Sequence, residues 1–428
     1  MKDAPGLRLY RSLTGLAQAL APALLQARVR AGKEDPARVG ERLGHTERER
    51  PPGPLVWLHG ASVGESLSLL PLIKAIGGRR SDVTVLTTSG TVTAAEMMAR
   101  RLPPEALHQF NPVDTPAAVS RFLDHWRPDL AVFVESELWP NLIGEAKRRN
   151  VRLALLSARL SEQSLKGWAK APRSAAALLG AFDLVMAQDE AAAGRLAALG
   201  ARDDGRLNLK LAGEPLPVAL NPLEAARRAA KERPVLLAAS THPGEDEVVL
   251  DAFKALKDRR DRPLLVIAPR HPARGPDIVA LATSQGFKAS AQSAGGLFGM
   301  GEVYVADALG ELGLWFRLAR AAFVGGSLVE GPGGHNPVEP ARLGVPIVSG
   351  PLVDNWRSVF DLFLKDDAVV IAADAQGLAT AFAGLLNDET AAQAMAARAL
   401  AIPDGEAQAL DDAVALLVDL LPELEREA

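Results

Sequence analysis

Short apolar runs alternate with longer helix-period segments along almost the whole chain, and this alternation restricts the fold more than any other feature. The runs fall at 55–58, 83–87, 130–134, 152–156, 183–187 and 206–211, then at 234–239, 263–268, 302–306, 321–325, 345–349 and 368–371. Most are nearly continuous in apolar residues, as strands are when both their faces are covered. Helical segments between successive runs predict crossover connections, hence parallel sheets in an α/β fold. The two sets divide at residues 212–222, AGEPLPVALNP, where three prolines and a glycine interrupt the pattern. The reading is two doubly wound, Rossmann-like domains, 34–215 and 222–428, facing across a cleft, with ligands at the carboxyl ends of the strands. The last helices, within 406–427, are candidates for packing back on the first domain.

The segment before the first domain differs in character. Residues 1–33 carry Lys2, Arg8, Arg11, Arg28, Arg30 and Lys33 against Asp3 alone, a net of +5 in a chain whose total is −4. Between Arg11 and Arg28 lie sixteen uncharged residues, with Leu13, Leu16, Leu20 and Leu24 at helical spacing. The stretch is short for a membrane span, which needs about twenty apolar residues. It fits a basic amphipathic helix on an anionic membrane surface, with a signal peptide, an ordinary surface helix and a truncated span as competing readings. The overall negative charge gives no indication of nucleic-acid binding. The 428-residue chain has no cysteine, which excludes a disulfide framework.

Several loops follow predicted strands and carry candidate chemistry. In HGASVGE, Ser62 and Glu65 have the spacing of a capping box, and Gly60 and Gly64 leave room for a ligand. A carboxylate at a helix N-terminus is favoured as the anion and is a candidate general base. In VFVESELWPNL, Glu135 and Glu137 belong at the carboxyl end of a strand; without His or Asp partners they make a poor metal site. ASTHPGE, APRHP with Arg270 and His271, and ADALGEL with Gly310 and Glu311 repeat the strand–loop–helix arrangement in the second half. The densest segment is FVGGSLVEGPGGHNPVEP. Its glycines, including Gly326 beside Ser327, suit a loop that points N–H groups at a phosphate. Asn336 reads as a helix cap with Glu339 three residues on. No Asp-x-Asp pair and no G-x-x-x-x-G-K-[ST] occurs, so neither a metal-held nucleotide diphosphate nor a P-loop is indicated.

Taken in order, HGASVGE, ESELWPNL, LLSARLS, APRHP, LGEL and GGSLVE…GGHNPVEP resemble the 3-deoxy-D-manno-oct-2-ulosonic acid (Kdo) transferases of Gram-negative bacteria, and GERLG at 40–44 fits as well. The resemblance implies a GT-B fold and inverting transfer of Kdo from CMP-Kdo to the lipid A precursor, at the cytoplasmic face of the inner membrane. It implies no cofactor and no metal. Glu65 matches the family's base. Arg270, His271, Gly310, Glu311, Asn336 and Glu339 match its CMP-binding positions, with Gly326, Ser327 and Lys210 expected on the donor side. Ser62, Gly64, Glu135, Glu137 and Arg159 are expected on the acceptor side. The lysine segment NLKLAGEP lacks the aromatic and acid that commonly follow this lysine. Another GT-B enzyme using a UDP-sugar, and an inactive membrane-surface binding protein, remain as alternatives.

Overall fold

The computed structural model describes residues 4–423; Lys2, Asp3 and the end of the C-terminal helical segment lie outside the described residues. It divides into two compact units, residues 1–213 with 406–428, and residues 214–405.

The first unit is built on a six-stranded parallel sheet of β1 (Leu55–His59), β2 (Thr84–Ser89), β3 (Leu107–Phe110), β4 (Leu130–Val134), β5 (Arg152–Ala158) and β6 (Leu184–Ala187). Their order is β3-β2-β1-β4-β5-β6. Alternate residues of β1 serve opposite faces. Leu55 and Trp57 pack with Phe122, Trp126 and Phe133, while Val56 and Leu58 pack with Leu69, Leu72 and Ile76. This two-sided burial is why the strands read as continuous apolar runs.

Two sequence expectations need correction here. The run 206–211 is not a strand. It makes a single bridge, Ala187 to Arg206, and then turns at 209–211, where Leu211 N donates to Asn208 O at 2.8 Å; Leu207, Leu209 and Leu211 are buried. Strand β3, LHQF, went unrecognised, as did the short strand Ala289–Ala291 of the second sheet. In β3, His108 and Gln109 are buried because Ser89 Oγ meets His108 Nε2 at 2.8 Å and Trp126 Nε1 donates to Gln109 Oε1 at 2.8 Å.

The second unit carries a seven-stranded parallel sheet: β7 (Val235–Thr241), β8 (Leu264–Pro269), β9 (Ala289–Ala291), β10 (Val303–Val305), β11 (Ala319–Val324), β12 (Ile347–Ser349) and β13 (Val370–Ile371). The order is β13-β12-β11-β7-β8-β10-β9. In each sheet the strand order reverses beside the first strand, between β1 and β4 and between β7 and β11. Ligands of doubly wound sheets sit at such points.

The second domain does not extend to residue 428. A single helix, Glu389–Asp419, contains the point at which the chain returns to the first unit. Beyond it Leu410, Val414, Leu417 and Leu421 are buried in the core with Leu69 and Leu72. Each such side chain contributes about 1.5–3 kcal/mol, so this return is a substantial part of the first unit's stability.

At the other end of the chain, helices Pro5–Ala17 and Ala21–Arg30 flank a short 3-10 turn. Their inner side is tied down by buried Leu7 and Leu25, by Tyr10 OH donating to Asp114 Oδ2 at 3.0 Å, and by Arg11 pairing with Glu145 at 2.9 Å. Their outer side presents Leu9, Leu13, Leu16, Leu20 and Leu24, each 57–79% exposed. Among the described residues no helix is long and apolar enough to cross a membrane.

Candidate functional site

The first unit gathers its candidate residues at the β1/β4 reversal. The helix Val63–Arg79 follows β1 after a three-residue loop, and its N-terminus is the capping box read from the sequence. Ser62 Oγ accepts from Glu65 N at 3.3 Å and donates to Glu65 Oε1 at 2.9 Å, while Glu65 Oε2 accepts from Ala61 N at 2.7 Å. The carboxylate is thereby fixed in orientation. A Cβ at Gly60 would sit 3.1 Å from Glu65 Cβ, whereas Gly64 faces open space.

The environment of Glu65 departs from the sequence expectation. The helix dipole and the Ser62 and Ala61 bonds favour the anion, but they do not prevail. Burial pushes the Glu65 carboxyl above its usual range, and the neighbouring charge of Glu137, with a smaller part from Glu135, pushes in the same direction. A raised pKa makes it a stronger base once ionised.

Glu137 receives two ring donors. Trp139 Nε1 donates to its Oε2 at 2.5 Å, and His59 Nε2 lies 3.2 Å from the same oxygen. Although burial opposes it, His59 and then Trp139 hold this carboxyl below the ordinary range.

Glu135 follows β4 directly in a left-handed conformation, φ 53°, rare for a residue with a side chain and frequent at functional sites. Ser157, φ 50°, lies at an irregularity in the β5–β6 pairing. Arg159 N donates to Glu135 O at 3.1 Å, and the Arg159 side chain is exposed.

Lys210 is paired within the first unit. Its Nζ lies 2.8 Å from Glu135 Oε1, so it joins the acidic group of the first unit.

In the second unit the loops after β7, β8 and β11 converge at the β7/β11 reversal. Glu245 opens the helix Glu245–Lys254, is fully buried, and its carboxylate accepts four backbone N–H groups. Oε1 takes those of Ser327 and Leu328 at 2.9 and 3.0 Å; Oε2 takes those of Gly326 and His242 at 2.7 and 2.9 Å. A Cβ at Gly325 would meet this carboxylate at 2.9 Å, and Gly326 has φ 68°, so both positions favour glycine.

The glycine-rich loop therefore spends its first N–H groups on an internal anion, which corrects the expectation that Gly326 and Ser327 present theirs to a phosphate. The Ser327 hydroxyl is also used, donating to Val324 O and accepting from Gly350 N.

What remains directed outward is cationic and aromatic. Arg270 is exposed and makes no side-chain hydrogen bond among the described residues. His271, also exposed, lies edge-on to His242 at 6.0 Å. His242 stacks on His335 at 5.1 Å with their Nε2 atoms 2.8 Å apart, so one proton serves both nitrogens. Burial first, then His242, Arg270 and His271, depress His335 to about 4. The pair is neutral near pH 7, which leaves the loop's positive charge to the arginines.

Asn336 Oδ1 accepts from Val338 N at 2.9 Å. Asn336 thus supports the helix Val338–Ala341, which begins one residue later than the sequence suggested. Glu339 lies in that helix. Gly310, φ 87°, precedes Glu311, which accepts from Gln292 Nε2 at 2.9 Å at the start of helix Leu312–Leu318.

Residues 37–214 match the family model described as 3-Deoxy-D-manno-octulosonic-acid transferase (kdotransferase). The chain is 34% identical over 371 residues to the 3-deoxy-D-manno-octulosonic acid transferase of Rickettsia felis, covering 86% of this chain and 79% of the relative. Against the Bordetella pertussis enzyme of the same name it is 34% identical, covering 86% of this chain and 87% of the relative. It belongs to the Kdo transferase family.

It is accordingly a glycosyltransferase that transfers Kdo. The UDP-GlcNAc 2-epimerase of Neisseria meningitidis shares the architecture, with a TM-score of 0.57 over 85% of this chain and all of that one at 14% identity, which bears on the fold alone. The two Rossmann-like units are those of a GT-B glycosyltransferase.

Sequence reading passed over His59, Glu245, His242 and His335 as functional residues. His242 and Glu245 stand inside ASTHPGE, but a first-turn acid reads simply as dipole compensation. Three of its four backbone partners lie more than eighty positions away in the chain.

Proposed function

We propose that the chain moves Kdo from CMP-Kdo to the sugar hydroxyl of a lipid A precursor in lipopolysaccharide synthesis, with inversion and with Glu65 as general base. The observation that carries this reading is the Glu65 carboxylate itself. It is locked by Ser62 and Ala61 at the β1/β4 reversal and made more basic by burial and by Glu137. In the reaction the acceptor hydroxyl gives its proton to Glu65 as its oxygen bonds to the Kdo anomeric carbon. The bond from that carbon to the phosphate oxygen breaks, and CMP leaves with the electron pair. Fixed geometry supplies much of the rate.

The second unit supplies donor recognition. Exposed Arg270 and His271 suit the anionic groups of the donor, and Arg270 would steady the charge that develops on departing CMP. Asn336, Glu339, Gly310 and Glu311 complete the proposed donor set. Glu135 with Lys210, and Arg159, belong on the acceptor side. The proposed step invokes no metal or cofactor.

The acceptor is a lipid, and the N-terminal helices offer a means of reaching it. Five leucines stand exposed along one side, flanked by Arg8, Arg28, Arg30 and Lys33. That combination suits peripheral binding to an anionic surface, here the cytoplasmic face of the inner membrane.

The test is Kdo transfer from CMP-Kdo to a lipid A precursor by the parent and by Glu65→Gln, with CMP binding measured on both and UDP as competitor. Turnover should fall by about 10² or more with CMP binding retained. Unchanged turnover in the folded variant would remove Glu65 as the base, and displacement of CMP by equimolar UDP would argue for a different donor.

A further inference from the structure

A chain of hydrogen bonds runs from the core between β1 and β2 to the neighbourhood of Glu65. The register of the two strands sets His59 beside Thr88. Trp57 Nε1 donates to Thr88 Oγ1 at 2.8 Å, and His59 Nδ1 lies 2.9 Å from the same oxygen. An indole N–H only donates. Of the two nitrogens on this oxygen, then, only the imidazole one can accept the hydroxyl proton, and Thr88 donates to Nδ1. In the neutral imidazole this leaves the ring proton on Nε2, from which it donates to Glu137 Oε2 at 3.2 Å. With the Trp139 indole on the same oxygen at 2.5 Å, two N–H donors converge on one carboxylate oxygen, which favours the anion. His59 is fully buried, and Phe133 lies edge-on to its ring at 5.8 Å, so the imidazole is held in this orientation by packing.

Glu65 and Glu137 are both tied to the carboxyl end of β1, Glu65 through Ala61 N at 2.7 Å and Glu137 through His59 two residues earlier at 3.2 Å, and the Glu137 charge is one of those acting on Glu65. The others are Glu135, whose charge is offset by Lys210 at 2.8 Å, and, from the capping side, the Ser62 hydroxyl and Ala61 N–H, which favour the Glu65 anion. On the far side of His59 the nearby charge is Asp114, occupied by Tyr10 and by the backbone N–H groups of Asn141 and Leu142. Of the two acids near Glu65, Glu137 alone lacks a cationic side chain at salt-bridge distance other than His59. Its charge is the larger of the two that act on Glu65.

We propose that the Thr88–His59–Glu137 chain is a positioning device that fixes Glu137 as an anion beside Glu65 and thereby sets the base strength of Glu65. His59 and Glu137 touch no reacting atom; they act through Glu65. The catalytic consequence rests on Glu65 being the base. The electrostatic relation between the two carboxylates does not.

Removing the charge of Glu137, or the N–H that holds it, lowers the Glu65 midpoint by about one pH unit. A weaker base then gives a slower plateau rate. A histidine that merely satisfied the core would leave both unchanged.

The experiment uses the full chain labelled with carboxyl-¹³C glutamate, with the Glu65 resonance identified by its loss in Glu65→Gln. Its midpoint is followed by NMR in the parent, in Glu137→Gln and in His59→Phe, alongside the pH profile of kcat/KM for Kdo transfer. The expected result is a midpoint about one unit lower in both variants, with the acid limb of the profile moving in parallel. A midpoint unchanged in folded Glu137→Gln overturns the proposal. Glu137→Gln keeps the Trp139 and His59 donors in place, so it decides the matter even if His59→Phe fails to fold. A midpoint that falls while the acid limb stays put upholds the link between the carboxylates and removes Glu65 as the base.

Discussion

Replacing Glu245 by glutamine tests whether the glycine-rich loop is held by a buried carboxylate. In the parent, each carboxylate oxygen accepts two backbone N–H groups, three of them from Gly326, Ser327 and Leu328. Glutamine substitutes an NH2 for one oxygen. Whichever oxygen is replaced, two N–H groups lose their acceptor and face a donor, and the other two lose the charge. Gly326 and Ser327 are buried, so water does not replace the missing acceptor. At about 1.5–3 kcal/mol for each hydrogen bond to a charged group, two lost bonds weaken the closed loop by about 3–6 kcal/mol. Since about 1.4 kcal/mol is a factor of ten, the open population rises by about 10² or more. Hydrogen exchange read by mass spectrometry on peptides covering 323–334 measures this directly, with the amides of β4 as internal reference. The same loop carries His335 and Asn336, so CMP binding by calorimetry should weaken by at least about tenfold. Exchange within about threefold of the parent at 326–328 would refute the reasoning, because four bonds to a buried anion cannot be disrupted without consequence.

Two further predictions concern pH and the membrane. Arg38 donates to His108 Nδ1 at 3.2 Å, and burial, then Arg38 and Arg48, lower the His108 pKa from 6.5 to about 3. The unfolded chain therefore takes up this proton first. Its contribution is fully present above the unfolded value and is lost as pH falls from 6.5 towards 3. Chemical denaturation of parent and His108→Gln should show the variant losing about 2 kcal/mol less between pH 7 and pH 5; parallel curves would contradict the assignment. Leu16 and Leu20 are 79% and 63% exposed, so Leu16→Asp with Leu20→Asp should leave folding and CMP binding intact. Partition onto vesicles containing phosphatidylglycerol should fall by about 10² or more, and equal partition would separate these leucines from membrane binding.

Local pattern carried much of the architecture. Most strands of the two sheets announced themselves as apolar runs because burial on two faces leaves no polar alternation. The Ser62–Glu65 capping box was visible because its bonds close within one helical turn. Strand β3 stayed hidden because its polar residues are satisfied by Ser89 and Trp126, partners that no window around residue 108 contains. The 206–211 run misled for the opposite reason: its leucines are buried, but only Arg206 finds a strand partner before the chain turns.

The sequence by itself determined the two doubly wound halves, the break near residue 213, the order of the motifs and the position of Glu65 at a helix N-terminus. These are set by periodicity and by turn and cap chemistry, which act over a few residues. Tertiary structure decided what the groups do to one another. It took the 326–328 amides away from any ligand and gave them to Glu245, moved Lys210 to Glu135, set His59 against Glu137, and raised Glu65 where a helix terminus alone would have lowered it. It also returned the chain from Glu406 to the first unit. The physical reason is common to all of these. Desolvation and the fields of neighbouring charges depend on atoms brought together from distant parts of the chain, and no local pattern encodes which of them will meet.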